Sequence, residues 1–224
     1  LNIYNSANVL IARNDNWQTP VTINASFPGA SAADITAATT AVGLTPGRPR
    51  EDPAVLRRRL RLEHDRHRTV LVGFGGMGLA VEPTLFEAWP EHHFLAADPG
   101  LDCGASNLTR IPGDLRPLEV MPLCGRILTK PGYSTFCEAL SLGVGVQLVQ
   151  RQGFAEAPVL EADLQRHGWH RLLTRAQLEG GDWQLDQPLL PPTAEPLASG
   201  GEQAAAVHVQ TLARTLARTL ATQP

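Results

Sequence analysis

The sequence predicts an α/β fold: a Rossmann-like parallel sheet with helices on both faces. Two observations carry this. From residue 69 onward, short apolar runs alternate with stretches of helical spacing, the order that a parallel sheet with crossover helices produces. Two of those runs are followed at once by glycine loops, and ligands of such sheets bind outside the carboxyl ends of the strands. Hydrophobic residues make up 43% of the 224 positions, enough for the core of one large domain.

Each element has its own reason. Thr69-Val70-Leu71-Val72 is a short apolar strand. Thr84 to Trp89 is a helix, and Pro83 belongs in its first turn, because deeper it would cost roughly 3 kcal/mol. His93 to Ala97 and Asn107 to Ile111 are further strands. Leu115 to Leu123 holds a helical turn kept short by Pro117 and Pro122. Arg126 to Thr129 is a strand, Ser134 to Leu142 a helix, Val144 to Val149 a strand and Glu156 to His167 a helix. Pro188 to Pro196 is a proline-rich loop, and Glu202 to Leu220 is a final helix with Val207, Leu212, Leu216 and Leu220 in apolar positions. Upstream, Pro53 to Leu62 is a basic helix. Gly43 to Arg50 has the turn formers and exposed arginines of a linker. Residues 1–42 differ from the rest, with one strand at Ala7 to Ala12 and weak periodicity after it.

Composition excludes several classes. Nineteen Lys and Arg against 22 Asp and Glu leave a net charge of -3, which argues against a nucleic-acid surface. Cys103, Cys124 and Cys137 are too widely spaced for a metal knuckle and fit reduced thiols in the cytoplasm. His64 and His67 stand three apart, but no acid or cysteine converges on them, so a solvated face is the better reading than a metal site. No run approaches the roughly 18 apolar residues of a transmembrane helix. The sequons Asn24-Ala25-Ser26 and Asn107-Leu108-Thr109 read as chance without a secretory signal. The first residue is Leu rather than Met, which points to a fragment.

Three loops carry the chemistry. Gly73-Phe74-Gly75-Gly76-Met77-Gly78 follows the first parallel strand. It spells the dinucleotide fingerprint, and Asp98 lies 20 residues past Gly78, where a ribose-binding acid belongs. In that fold, however, the helix begins inside the glycine motif, and here Pro83 delays it to about residue 82. The second loop opens the segment Lys130-Pro131-Gly132-Tyr133-Ser134-Thr135-Phe136-Cys137-Glu138-Ala139-Leu140. A helix beginning there offers unpaired N–H groups and a favourable dipole to an anion, with the Ser134 and Thr135 hydroxyls and the Glu138 carboxylate beside them. A capping box, Thr135 with Glu138, explains the same residues without a ligand. The third loop, Gln150-Arg151-Gln152-Gly153-Phe154-Ala155-Glu156, follows a strand and supplies groups for sugar hydroxyls. Lys130 and Arg151 can each neutralise phosphate.

The segments at 72–78 and 130–140 resemble the carboxyl-terminal half of GT-B glycosyltransferases. They are similar to the group of the peptidoglycan N-acetylglucosaminyl transferase, and more so to the glycosyltransferase-like domain of plant L-arabinokinases and its free-standing bacterial relatives. The resemblance covers residues 45–175. It implies two Rossmann-like domains, with residues 1–42 the tail of a missing amino-terminal one, 43–53 a linker, 54–200 the nucleotide-sugar-binding domain, and 201–224 a helix crossing back. It implies that Gly75, Gly76 and Gly78 lie against the diphosphate or sugar, and that Gly132, Ser134 and Thr135 hold the diphosphate. Glu138 would accept from the ribose, and Gln152 and Glu156 would face the donor sugar.

The function so implied is metal-independent, inverting transfer of a glycosyl group from a UDP-linked sugar to an unidentified acceptor, with no cofactor beyond that substrate. No residue stands out as the general base. The family's glutamine pair after the third loop is not matched here. Alternatives are a nucleotide-sugar epimerase of the same architecture, a non-catalytic sugar-nucleotide-binding domain associated with a sugar kinase, and an NAD-dependent dehydrogenase.

Overall fold

A computed structural model describes residues 2–4, 10–13, 22–23, 43–74, 82, 84–98, 101 and 104–221. Three short strands, β1 (Asn2–Tyr4), β2 (Leu10–Arg13) and β3 (Thr22–Ile23), pair antiparallel in a sheet of their own. The single strand expected at Ala7 to Ala12 is therefore corrected: its end forms the middle strand of three, because Leu10–Arg13 pairs on both edges. Residues 5–9 lie outside the described set.

The main sheet has six strands, β4 (Thr69–Gly73), β5 (His93–Ala96), β6 (Leu108–Arg110), β7 (Arg126–Thr129), β8 (Gly145–Val149) and β9 (His170–Leu173). Their order is β6-β5-β4-β7-β8-β9, and every pair is parallel. The helices are α1 (Pro53–Arg59), α2 (Thr84–Glu87), α3 (Pro117–Val120), α4 (Tyr133–Ser141), α5 (Ala157–His167), α6 (Arg175–Glu179) and α7 (Gly201–Ala221). Both faces of the sheet are covered. Leu71, Leu95, Ile127, Val146 and Leu148 pack with Leu56, Met121, Phe136 and Leu164. Val70, Val72, Phe94 and Leu128 pack with Phe86, Leu178 and Trp183. The nearly continuous apolar runs in β4 and β8 follow from this double burial.

From residue 43 onward, two elements were not anticipated. β9 is the last strand in the order, and its His170 and Arg171 break the apolar run. α6 is opened by a true capping box, with Thr174 Oγ1 accepting from Gln177 N at 3.2 Å and Gln177 Oε1 accepting from Thr174 N at 2.9 Å. Asn107 also has a structural task. Its amide nitrogen lies 2.8, 3.1 and 3.2 Å from the carbonyls of Phe86, Trp89 and His92, which ties α2 to the start of β6. The Asn24 sequon lies outside the described residues.

At the amino ends of β4 and β5 the histidines pack together. His64 stacks on His93 with ring centroids 5.5 Å apart, and His93 Nε2 meets Thr109 Oγ1 at 2.9 Å. His92 is buried, and its Nδ1 meets no hydrogen-bond partner. Among the described residues no group of three or more His, Cys, Asp or Glu is placed to hold a metal ion. Burial lowers the pKa of both His92 and His93 below the ordinary value of 6.5, and neighbouring cationic groups add to it. The unfolded chain therefore takes up these protons first. Stability should be full above the ordinary imidazole value and fall as pH drops through the lowered ones. Thermal unfolding followed across that range should show this fall, and His92→Phe should reduce it.

Candidate functional site

β4, β7 and β8 are neighbours, so Gly73, Thr129 and Val149 end side by side. The chain runs outward from β4 through β5 to β6, then returns to the other side of β4 as β7. At such a switch point the flanking loops diverge and leave a crevice. Thr129 closes its floor, with its hydroxyl donating to the Gly73 carbonyl at 2.7 Å.

One wall is α4. Its N-cap is Gly132, whose backbone is extended (φ -166°, ψ 125°), and no side chain caps the helix. The expected capping box of Thr135 with Glu138 does not form. Gly132 takes up the cap conformation directly after Pro131, so the helix starts at Tyr133 and Thr135 is its third residue. The N–H groups of Tyr133, Ser134 and Thr135 belong to a first turn that has no acceptor within the helix. Thr135 and Glu138, three apart, stand on one helix face. Both line a cavity of 510 Å³ together with Gly73, Asp98, Arg116 and Met121.

Glu138 is half-buried in this cavity. Burial raises its carboxyl pKa above the ordinary range, and the Arg116 guanidinium pulls it partly back. Lys130 leaves the end of β7, and Arg151 follows β8. Burial, and then the charge of Arg151, lower the Lys130 ammonium pKa. Lys130 and Arg151 therefore lie within electrostatic reach of each other. Arg151 rests over the Phe154 ring, 4.6 Å from its centroid. With Gln150, Gln152, Phe154 and Glu161 it lines a second hollow of 520 Å³.

The sequence-predicted residues thus divide. Thr135 and Glu138 share one cavity, Arg151 and Gln152 share the other, and Lys130 couples electrostatically to the second group. Gly132 and Ser134 sit at the start of α4, with Ser134 exposed. Glu156 lines neither hollow: it is the N-cap of α5, with its carbonyl accepting from Leu160 N at 3.0 Å. Gly75, Gly76 and Gly78 lie outside the described residues. Sequence reasoning set Asp98 aside with the dinucleotide fingerprint, yet it lines the Glu138 cavity. It missed Arg116 altogether, whose role depends on partners distant in sequence.

The solved structures similar to this chain include glycosyltransferases. Arabidopsis thaliana UGT89C1 complexed with quercetin matches at 21% identity over 63% of this chain and 38% of its own, with a TM-score of 0.45. The glycosyltransferase SnogD from Streptomyces nogalater matches at 20% identity over 72% of this chain and 48% of its own, TM-score 0.42. UGT89C1 complexed with UDP-L-rhamnose matches at 19% identity over 63% and 38%, TM-score 0.41. This chain spans less than half the length of each. No protein-family model matches the sequence, and no curated protein is significantly similar to it. Among the described residues no helix is long and apolar enough to cross a membrane.

Proposed function

We propose that this chain is the donor-binding, carboxyl-terminal half of a GT-B glycosyltransferase, which binds a UDP-linked sugar and transfers its glycosyl group with inversion. The observation that supports this reading is an uncapped helix N-terminus and a half-buried carboxylate on one helix beside the switch point, with Lys130 and Arg151 on the loops that follow β7 and β8. The amides and hydroxyls of Ser134 and Thr135, with Gly132, hold the diphosphate. Lys130 and Arg151 offset the charge that grows on the leaving group, so the departure needs no metal. Glu138 accepts from the ribose hydroxyls. Gly75, Gly76 and Gly78 complete the phosphate cradle, and Gln152 faces the sugar. Residues 1–42 are the tail of an amino-terminal domain that brings the acceptor and the general base.

Calorimetry with UDP tests the reading. The chain should bind UDP, and replacing Ser134 and Thr135 together by Ala should weaken binding about tenfold or more, the loss of one to two charge-assisted hydrogen bonds. No binding, or binding indifferent to that change, defeats it. The position of Asp98 in the Glu138 cavity favours an NAD-dependent dehydrogenase as the second reading. A shift in NADH fluorescence on mixing, absent with UDP-sugars, would favour it instead.

A further inference from the structure

Residues 43–51 are fixed by hydrogen bonds to two elements, the start of α7 and α3. Leu44 N donates to Ala198 O at 2.9 Å, and Gly201 N donates to Leu44 O at 2.9 Å, which joins the segment to the start of α7. Arg50 N and Glu51 N donate to Glu119 Oε2 at 2.6 and 3.2 Å. Arg116 Nη2 donates to Arg48 O at 3.0 Å. Gly47 is pressed so close to α3 and α4 that an added Cβ would lie 2.7 Å from Leu118 Cδ2 and 2.9 Å from Glu138 Oε1.

Glu119 is the hub of this arrangement. It is 4% exposed. Its Oε1 accepts from Arg116 Nε at 2.8 Å and from Arg116 Nη2, and its Oε2 holds the strap amides. Burial alone would raise its pKa, but the Arg50 amide, Arg116 and the Glu51 amide outweigh that and hold it below the ordinary range. One buried carboxylate thus fixes both groups that meet Glu138: Arg116, through its charge, and Gly47, through direct contact.

We propose that Glu119 is a positioning residue for the nucleotide site: by clamping Arg116 and the strap that carries Gly47, it sets the orientation in which Glu138 receives the ligand's ribose. This rests on the donor-site reading above. A carboxylate free to rotate presents its oxygens to the ribose only part of the time. One packed against a glycine backbone, in the field of an ordered guanidinium, is already in place, and pre-organisation of that kind adds affinity.

The test is the ratio of affinities for UDP and 2′-deoxy-UDP, measured by calorimetry on residues 1–224. The wild type should prefer UDP about tenfold, the worth of one charge-assisted hydrogen bond. Glu119→Gln, which leaves an amide where a carboxylate met four N–H donors, should bring the ratio near unity. Gly47→Ala, which displaces the Glu138 carboxylate while leaving the Glu119 clamp intact, should do the same. Glu119→Asp, which shortens the clamp, should also lower the ratio and decides if Glu119→Gln does not fold. A purely structural role would lower both affinities together and keep the ratio. A ratio unchanged in folded variants overturns the inference and leaves the donor site standing. A wild type that binds neither nucleotide overturns the donor-site reading and this inference together.

Discussion

Trp183→Ala is expected to remove about 3–5 kcal/mol of folding stability, the usual loss when a fully buried Trp is truncated. Trp183 has 0% relative exposure. Its ring meets Phe86 edge-on at 4.9 Å and 69°, and Phe94 at 5.5 Å and 81°, so one side chain joins α2, β5 and the loop after α6. Its indole N–H donates to Leu178 O at 2.9 Å, and its carbonyl accepts from the buried Gln147 side chain. Truncation opens a cavity among these rings and leaves the Leu178 carbonyl without that donor. Small domains hold only about 5–15 kcal/mol in total, so the Ala variant should be close to half-unfolded in mild urea. Trp183→Phe keeps part of the ring contact and loses the N–H, so it should lie between the two. Urea titration followed by far-UV circular dichroism measures all three. A loss below about 1 kcal/mol for Ala would mean that this corner of the core collapses around the gap.

Trp183 also marks where the sequence stops being legible. β4, β7 and β8 are readable because an apolar run between polar turns has few other fates, and α7 because its apolar positions recur at helical spacing. Trp183 lies in a stretch without periodicity, and its burial depends on Phe86 and Phe94, about 90 residues upstream. β9 fails for a related reason: Arg171 interrupts its apolar run, and its two Nη atoms donate to Gln184 Oε1 at 2.9 Å and Pro188 O at 2.6 Å.

The site divides along the same line. Its anion corner is visible locally in Pro131, Gly132, Ser134 and Thr135. The spelling Thr135-x-x-Glu138 even supports a capping box, until the extended backbone of Gly132 moves the helix start. Asp98 is visible as a position in a fingerprint, though not as a neighbour of Glu138. The Glu119 clamp joins residues 68 and 69 positions apart, and no local pattern announces it.

Lys130→Met is expected to weaken UDP binding by about 10–100-fold, the range of a charge-assisted hydrogen bond to phosphate, while leaving folding stability unchanged or raising it. The two effects have opposite signs for one physical reason. Burial and the nearby Arg151 charge lower the Lys130 ammonium pKa, so its charged form is disfavoured in the empty protein. Removing the charge relieves that repulsion. On the proposed donor-site reading a diphosphate reverses the balance, since an anion near both Lys130 and Arg151 turns repulsion into two attractions. A residue that costs stability in the free state and contributes in the bound state is the signature of a binding group held ready for its ligand. Methionine keeps the aliphatic stem, so lost packing does not confuse the result. Thermal unfolding without nucleotide gives the first sign and calorimetry with UDP the second. A variant that melts much earlier and binds UDP normally would make Lys130 a structural residue and remove one of the two cations from the proposed diphosphate clamp.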